Sequence, residues 1–128
     1  MTLRSQQSVF AKNIGLLIAY AYANGFELTF GEVYRTVEQQ EIYFKTGRSK
    51  TMNSRHIQRM AVDFNIFING RMLFADPKIY DDDLKRATVL ADYWESLNVN
   101  NVWGSNWDKN KLTKDKFQDP YHFEMKPM

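Results

Sequence analysis

The chain has only two histidines, and each stands close to a carboxylate: His56 lies seven residues before Asp63, and His122 three residues after Asp119. Imidazole nitrogen and carboxylate oxygen are common zinc ligands, and a catalytic zinc keeps three protein ligands so that water can occupy the fourth position. His56, Asp63 and His122 form the candidate set. Asp119 is followed by Pro120, which disfavours a helix at the aspartate, so this carboxylate can lie near a metal without binding it. Its plainer role is to open an Asp-Pro turn. The absence of cysteine excludes a thiolate site, a cysteine nucleophile and a disulfide framework. Ser54 is no nucleophile candidate either, because a serine triad needs a histidine base and both histidines are committed.

These side chains need elements to bring them together. From Val62 onward, Val62, Phe64, Ile66 and Ile68 share one parity and Asp63, Asn65, Phe67 and Asn69 the other, closing at Asn69-Gly70. That period of two with a hairpin signal predicts a strand, with Asp63 pointing away from its most apolar face. His56 then comes from the preceding loop. The segment from His122 to Met125 is expected as a last strand, carrying its ligand back to the sheet. Upstream, Phe10, Ile14, Leu17 and Ala21 predict an amphipathic helix over 5–24 that Gly25 stops. Phe26 to Phe30 alternates as a strand, and Gly31 permits a bulge. Thr36 can cap a helix with Gln39 as the second half of a capping box, ending at Gly47. Arg35 thereby falls at a strand-to-helix corner. A return strand is expected over Arg71 to Phe74, broken at Asp76-Pro77. Asp81, Asp82 and Asp83 favour the start of a helix whose buried stripe is Leu84, Ala87, Leu90, Ala91, Trp94 and Leu97. A short strand should follow around Val102, and residues 108–116, with four lysines and two aspartates, read as an exposed loop.

The pattern Ser54-x-His56-(x)6-Asp63, answered by Asp119-Pro120-Tyr121-His122-Phe123-Glu124, resembles the zinc D-alanyl-D-alanine peptidase family, most nearly its bacteriophage L-alanyl-D-glutamate endopeptidase (endolysin) branch. Val33-Tyr34-Arg35-Thr36 with Gln40 and Gly47-Arg48 resembles the family's upstream arginine motif, and Trp103-Gly104-Ser105-Asn106-Trp107 its tryptophan-glycine segment. The likeness runs from about Gly31 to Glu124. It implies zinc on His56, Asp63 and His122, Asp119 as general base and Arg35 as the transition-state arginine. It also implies an α+β fold in which a small antiparallel sheet carries the ligands and helices pack on one side, as in the Hedgehog and D-alanyl peptidase architecture. Arg59 and Ser105 stand where relatives usually have glycine, which bears on loop shape and substrate preference. Other residues keep two readings. Glu124 orients His122 or is a surface strand residue, Ser54 bonds near the site or shapes its loop, and Arg35 is alternatively an ordinary salt-bridged arginine. Trp103 and Trp107 either wall a substrate cleft or belong to the core.

With 128 residues, 44% apolar and 15% aromatic, the chain is expected to form a single domain over 1–128 with a real core. No run approaches the ~20 apolar residues that span a bilayer, and the apolar stretch at 14–23 lacks a signal-peptide cleavage site. A net charge of +2 is too weak to argue for nucleic acid. Residues 42–62 hold Lys45, Arg48, Lys50, Arg55 and Arg59 and no acid, a solvated loop or an attractor for the free carboxylates of a peptidoglycan stem peptide. The resemblance implies a monomeric peptidoglycan hydrolase of phage lysis, held in the host cytoplasm until it reaches the wall. A D-alanyl-D-alanine carboxypeptidase, or a non-catalytic wall-binding or phage structural module, is the alternative.

Overall fold

The computed structural model describes residues 1–49, 52, 54–106 and 119–128. Helix α1 spans Leu3–Ala23, capped by the Thr2 side chain, which accepts from the Ser5 N–H. Its Phe10, Ile14, Leu17 and Ala21 are buried, so the sequence stripe faces the core. Strand β1 is Phe26–Phe30, and helix α2 is Val37–Lys45, where the Thr36 hydroxyl accepts from the Gln39 N–H as expected. Strand β2, Ala61–Ile68, buries Val62, Phe64 and Ile66 and leaves Asp63 and Asn65 partly exposed. Asn69 and Gly70 both take positive φ, 51° and 77°, as the tight hairpin turn demands.

The expected return strand is shorter than the sequence suggests. Strand β3 is only Arg71–Met72. Phe74 adopts a φ of 70°, and its N–H leaves the ladder to bond the Asp83 carboxylate at 3.0 Å. Helix α3, Tyr80–Leu97, follows a short turn at Pro77–Ile79 and buries Leu84, Ala87, Leu90, Ala91 and Trp94. Asp83 is more than an acid at a helix start: its side chain is fully buried, paired with Arg71 through two bonds of 2.8 and 3.0 Å and with Arg86 at 3.1 Å.

Strands β4, Asn101–Trp103, and β5, His122–Met125, complete an antiparallel sheet in the order β1-β2-β5-β4, with β3 on β2. Trp94 locks α3 onto this sheet. Its indole N–H reaches the carbonyls of Val102 and Glu124, and its ring meets Phe10 and Phe123 edge-on. The two long helices thus pack on the apolar face, while α2 is engaged elsewhere, through Gln40. No helix among the described residues is long and apolar enough to cross a membrane.

Candidate metal centre and active site

The register of β2 against β5 sets Asp63 directly opposite His122, and directly opposed residues of antiparallel strands project from the same face. Asp63 is fixed on both sides of its backbone. Its carbonyl accepts from Gly31 N–H at 2.7 Å, and its N–H donates to the Glu32 carbonyl at 2.9 Å. Two residues of one strand thus answer one of the other, the bulge that Gly31 was expected to permit. His56 lies in a turn over residues 55–59 and packs against the upstream segment: its carbonyl accepts from Arg35 N–H at 3.3 Å.

The three predicted ligands converge. One donor atom from each of His56, Asp63 and His122 lies within 4.8 Å of the others, and the two imidazole centroids are 5.0 Å apart. Asp63 Oδ1 is 3.0 Å from His122 Nδ1 and 3.3 Å from His56 Nε2. The far nitrogens are occupied: His56 Nδ1 sits 3.2 Å from the Val33 carbonyl and His122 Nε2 2.8 Å from Glu124 Oε1. The carbonyl can only accept, so the His56 proton sits on Nδ1 and the Nε2 lone pair faces inward. A carboxylate or carbonyl behind each histidine is the usual way a metal site fixes its tautomers.

His56 Nε2 is fully buried and makes no hydrogen bond, because its approach to Asp63 is close enough for an ion pair but poorly aligned. A buried lone pair without a partner is costly in a protein interior. A cation between the three atoms would satisfy it, and the two-nitrogen, one-oxygen donor set suits zinc. Burial alone would raise Asp63, but its hydrogen bond with His122 holds it well below the usual carboxylate range. Burial alone would lower His122, yet hydrogen bonds with Asp63 and Glu124 push it up to about 9. The site is therefore strongly cation-seeking: two carboxylates hold a proton on His122 that a metal would displace.

Asp119 is placed by the turn that ends at His122. Its Oδ1 accepts from Tyr121 N–H at 3.1 Å, and its carbonyl accepts from His122 N–H, also at 3.1 Å. Burial and the charge of Asp63 raise its pKa, against the opposing pull of His122 and the Tyr121 N–H. Gly104 makes this turn possible, because a Cβ there would lie 2.1 Å from the Asp119 carbonyl oxygen and 2.9 Å from His122 Cβ. Tyr121 anchors it from the other side. Its carbonyl accepts from Phe64 N–H at 2.8 Å, its hydroxyl donates to the Leu73 carbonyl at 3.3 Å and its ring meets Phe74 edge-on.

Arg35 is held by several partners at once. Nε bonds Glu32, Nη1 reaches Gln40 Oε1 at 2.6 Å and Ser54 Oγ at 3.2 Å, and the guanidinium lies over the Tyr43 ring. Ser54 Oγ also accepts from His56 N–H, tying the arginine to the loop of that histidine. Glu32 and Tyr43 escaped the sequence reading, although Tyr43 lies three residues after Gln40 on the same helical face, which was a usable signal.

Of its two readings, Trp103 takes the core one: it is fully buried, and its indole N–H donates to the Pro120 carbonyl at 2.9 Å, so it supports the Asp119 turn from the core. Trp107, Lys50 and the expected loop at 108–116 lie outside the described residues. Arg59 has a φ of 57°, which explains why glycine suits that position. A side chain held there costs about 1 kcal/mol.

The sequence profile of the phage L-alanyl-D-glutamate peptidase family matches residues 17–125. An L-alanyl-D-glutamate peptidase of Listeria phage A118 is 30% identical over 91 residues, covering 71% of this chain, which itself spans only 30% of that relative's length. The crystal structure of the L-Ala D-Glu endopeptidase ChiX of Serratia marcescens matches with a TM-score of 0.65 at 20% identity, over 91% of this chain and 77% of that one. At that identity the match speaks for the fold.

Proposed function

Because the chain belongs to the phage L-alanyl-D-glutamate peptidase family, we propose that it is a zinc-dependent peptidoglycan endopeptidase that cleaves the L-alanyl-D-glutamate bond of the stem peptide in phage-induced host lysis. Residues 1–128 would act as one catalytic domain, monomeric, stored in the host cytoplasm and active in the wall. The observation that carries this reading is the convergence of His56 Nε2, Asp63 Oδ1 and His122 Nδ1, with Val33 and Glu124 behind the two histidines.

When bound by these three residues, zinc would supply an acidified water and a polarised carbonyl. The rest of the chemistry belongs to the chain. Asp119 keeps one oxygen on the Tyr121 N–H, which leaves Oδ2 to take the proton of the attacking water and return it to the leaving amine nitrogen. A pKa raised by burial and by Asp63 suits that exchange. Arg35 commits Nε and Nη1 to Glu32, Gln40 and Ser54. Its Nη2 N–H groups would then be left for the developing oxyanion, where one lost donor typically costs about 10²–10³ in rate. Trp103 and Gly104 hold the turn that sets Asp119 and His122 against each other.

The test is digestion of purified peptidoglycan with and without a chelator, with new amino termini identified by mass spectrometry. A D-glutamate amine that appears only without chelator is expected. Asp119→Ala should keep the metal and lose that product. Release of D-alanine would replace this reading with a carboxypeptidase, and absence of any product would leave a wall-binding module.

A further inference from the structure

Among the described members of the basic run between Ile42 and Val62, Arg59 alone has a left-handed backbone. Arg59 is exposed, yet its backbone is left-handed at a φ of 57°, a region that favours glycine. Backbone strain of this kind persists where the surrounding structure enforces it, often at functional sites. Two contacts fix the residue. Its N–H donates to the His56 carbonyl at 3.2 Å, and its guanidinium lies over the Tyr34 ring, 4.1 Å from the centroid. Tyr34 is held in turn by its neighbours, since Val33 meets His56 Nδ1 and Arg35 N–H meets the His56 carbonyl.

The cation is thus mounted on the turn that carries His56, and the ring beneath it on the segment packed against that histidine. The neighbouring arginines are otherwise engaged: Arg35 with Glu32, and Arg55 with Gln58. Among the described residues no carboxylate pairs with Arg59. A guanidinium resting on an aromatic face keeps its N–H fork free, and that fork matches a carboxylate.

We propose that Arg59, seated on Tyr34, receives the free α-carboxylate of the substrate's D-glutamate and sets the enzyme's preference for the unamidated stem peptide. This rests on the endopeptidase reading above. When the peptide continues through the glutamate side chain, the α-carboxylate remains free, one carbon from the scissile nitrogen. It is the substrate charge nearest the bond that is cut, and Arg59 is bonded to the backbone of a proposed metal ligand.

The experiment compares kcat/KM on two synthetic stem peptides that differ only in carrying a free α-carboxylate or its carboxamide, using zinc-loaded wild type, Arg59→Gly and Arg59→Lys. Glycine suits the observed φ, and thermal melts establish that each variant folds. Wild type should favour the free acid by about tenfold or more, the scale of one lost bond to a charged group. Arg59→Gly should bring the ratio close to one, chiefly through KM, and Arg59→Lys should fall between, since it keeps charge without the fork. A wild-type ratio near one, or an unchanged ratio in Arg59→Gly, overturns the assignment while leaving the endopeptidase reading intact. Zinc-loaded wild type cleaving neither peptide would overturn both.

Discussion

A single methyl group at Gly104 should disable the site while sparing the fold. The Cβ of Gly104→Ala would stand 2.1 Å from the Asp119 carbonyl oxygen, and side-chain carbons essentially never approach within 3.0 Å, so that oxygen must retreat by at least about 0.9 Å. It cannot retreat alone. The same oxygen accepts the His122 N–H, Asp119 N–H donates back to the Gly104 carbonyl at 3.3 Å, and His122 Cβ is itself only 2.9 Å from the new methyl. Asp119 and His122 therefore move together. A misplacement of ~1 Å can cost about 10² in rate, and a disturbed ligand should weaken metal binding as well. The assay is kcat/KM on a stem peptide, with zinc affinity measured in parallel and near-ultraviolet circular dichroism reporting the core. Gly15→Ala is the control, since Gly15 sits in α1 with nothing within 4 Å of its added Cβ. That change should stabilise the protein by about 0.5–1 kcal/mol and leave catalysis alone. Wild-type turnover and zinc affinity in Gly104→Ala would refute the claim that this close approach shapes the site.

Further outcomes follow from the same geometry. Glu124→Ala removes the acceptor 2.8 Å from His122 Nε2, and zinc affinity by competition with a chromophoric chelator should fall about 10- to 100-fold. An unchanged affinity would return Glu124 to the status of an ordinary strand residue. Asp83→Asn should destabilise the protein by about 1–3 kcal/mol, because the charge that pairs Arg71 and Arg86 is lost and an amide NH2 replaces one of the two oxygens that accept from them and from the Phe74 N–H. Burial opposes ionisation of Asp83, but Arg71, the Phe74 N–H and Arg86 together hold its pKa below the ordinary value. A lowered folded pKa means that this stabilisation is fully present above the unfolded value of ~3.9 and is lost as pH falls through the folded one. Melting temperatures of wild type and Asp83→Asn should therefore differ most near neutrality and converge in acid. A gap that stays constant down to pH 2 would contradict the charged pairing.

Local pattern carried the sequence reading a long way. The four-three-four spacing of Phe10, Ile14, Leu17 and Ala21 specifies a helix face wherever that helix packs, and Asn69-Gly70 after a period of two specifies a hairpin. What escaped depends on partners distant in the chain. Asp83 reads as an N-terminal helix acid because two more aspartates precede it, and only the hairpin that delivers Arg71 makes it a buried counterion. Strand β3 ends early for the same reason, since Phe74 gives its N–H to that carboxylate. The opposition of Asp63 and His122 is a matter of register between strands 59 residues apart, which alternation within either strand cannot supply. The core reading of Trp103 was open in the sequence, but the contact of its indole with the Pro120 carbonyl left no local trace.

Whether His56, Asp63 and His122 close on one ion is decided by a zinc titration of metal-free protein, with X-ray absorption reporting the ligands. One zinc per chain is expected, in a shell of nitrogen and oxygen only with two imidazoles, with tight binding lost in both His56→Ala and His122→Ala. A wild-type chain that takes up no zinc, or two variants that bind it as tightly as wild type, would contradict that expectation.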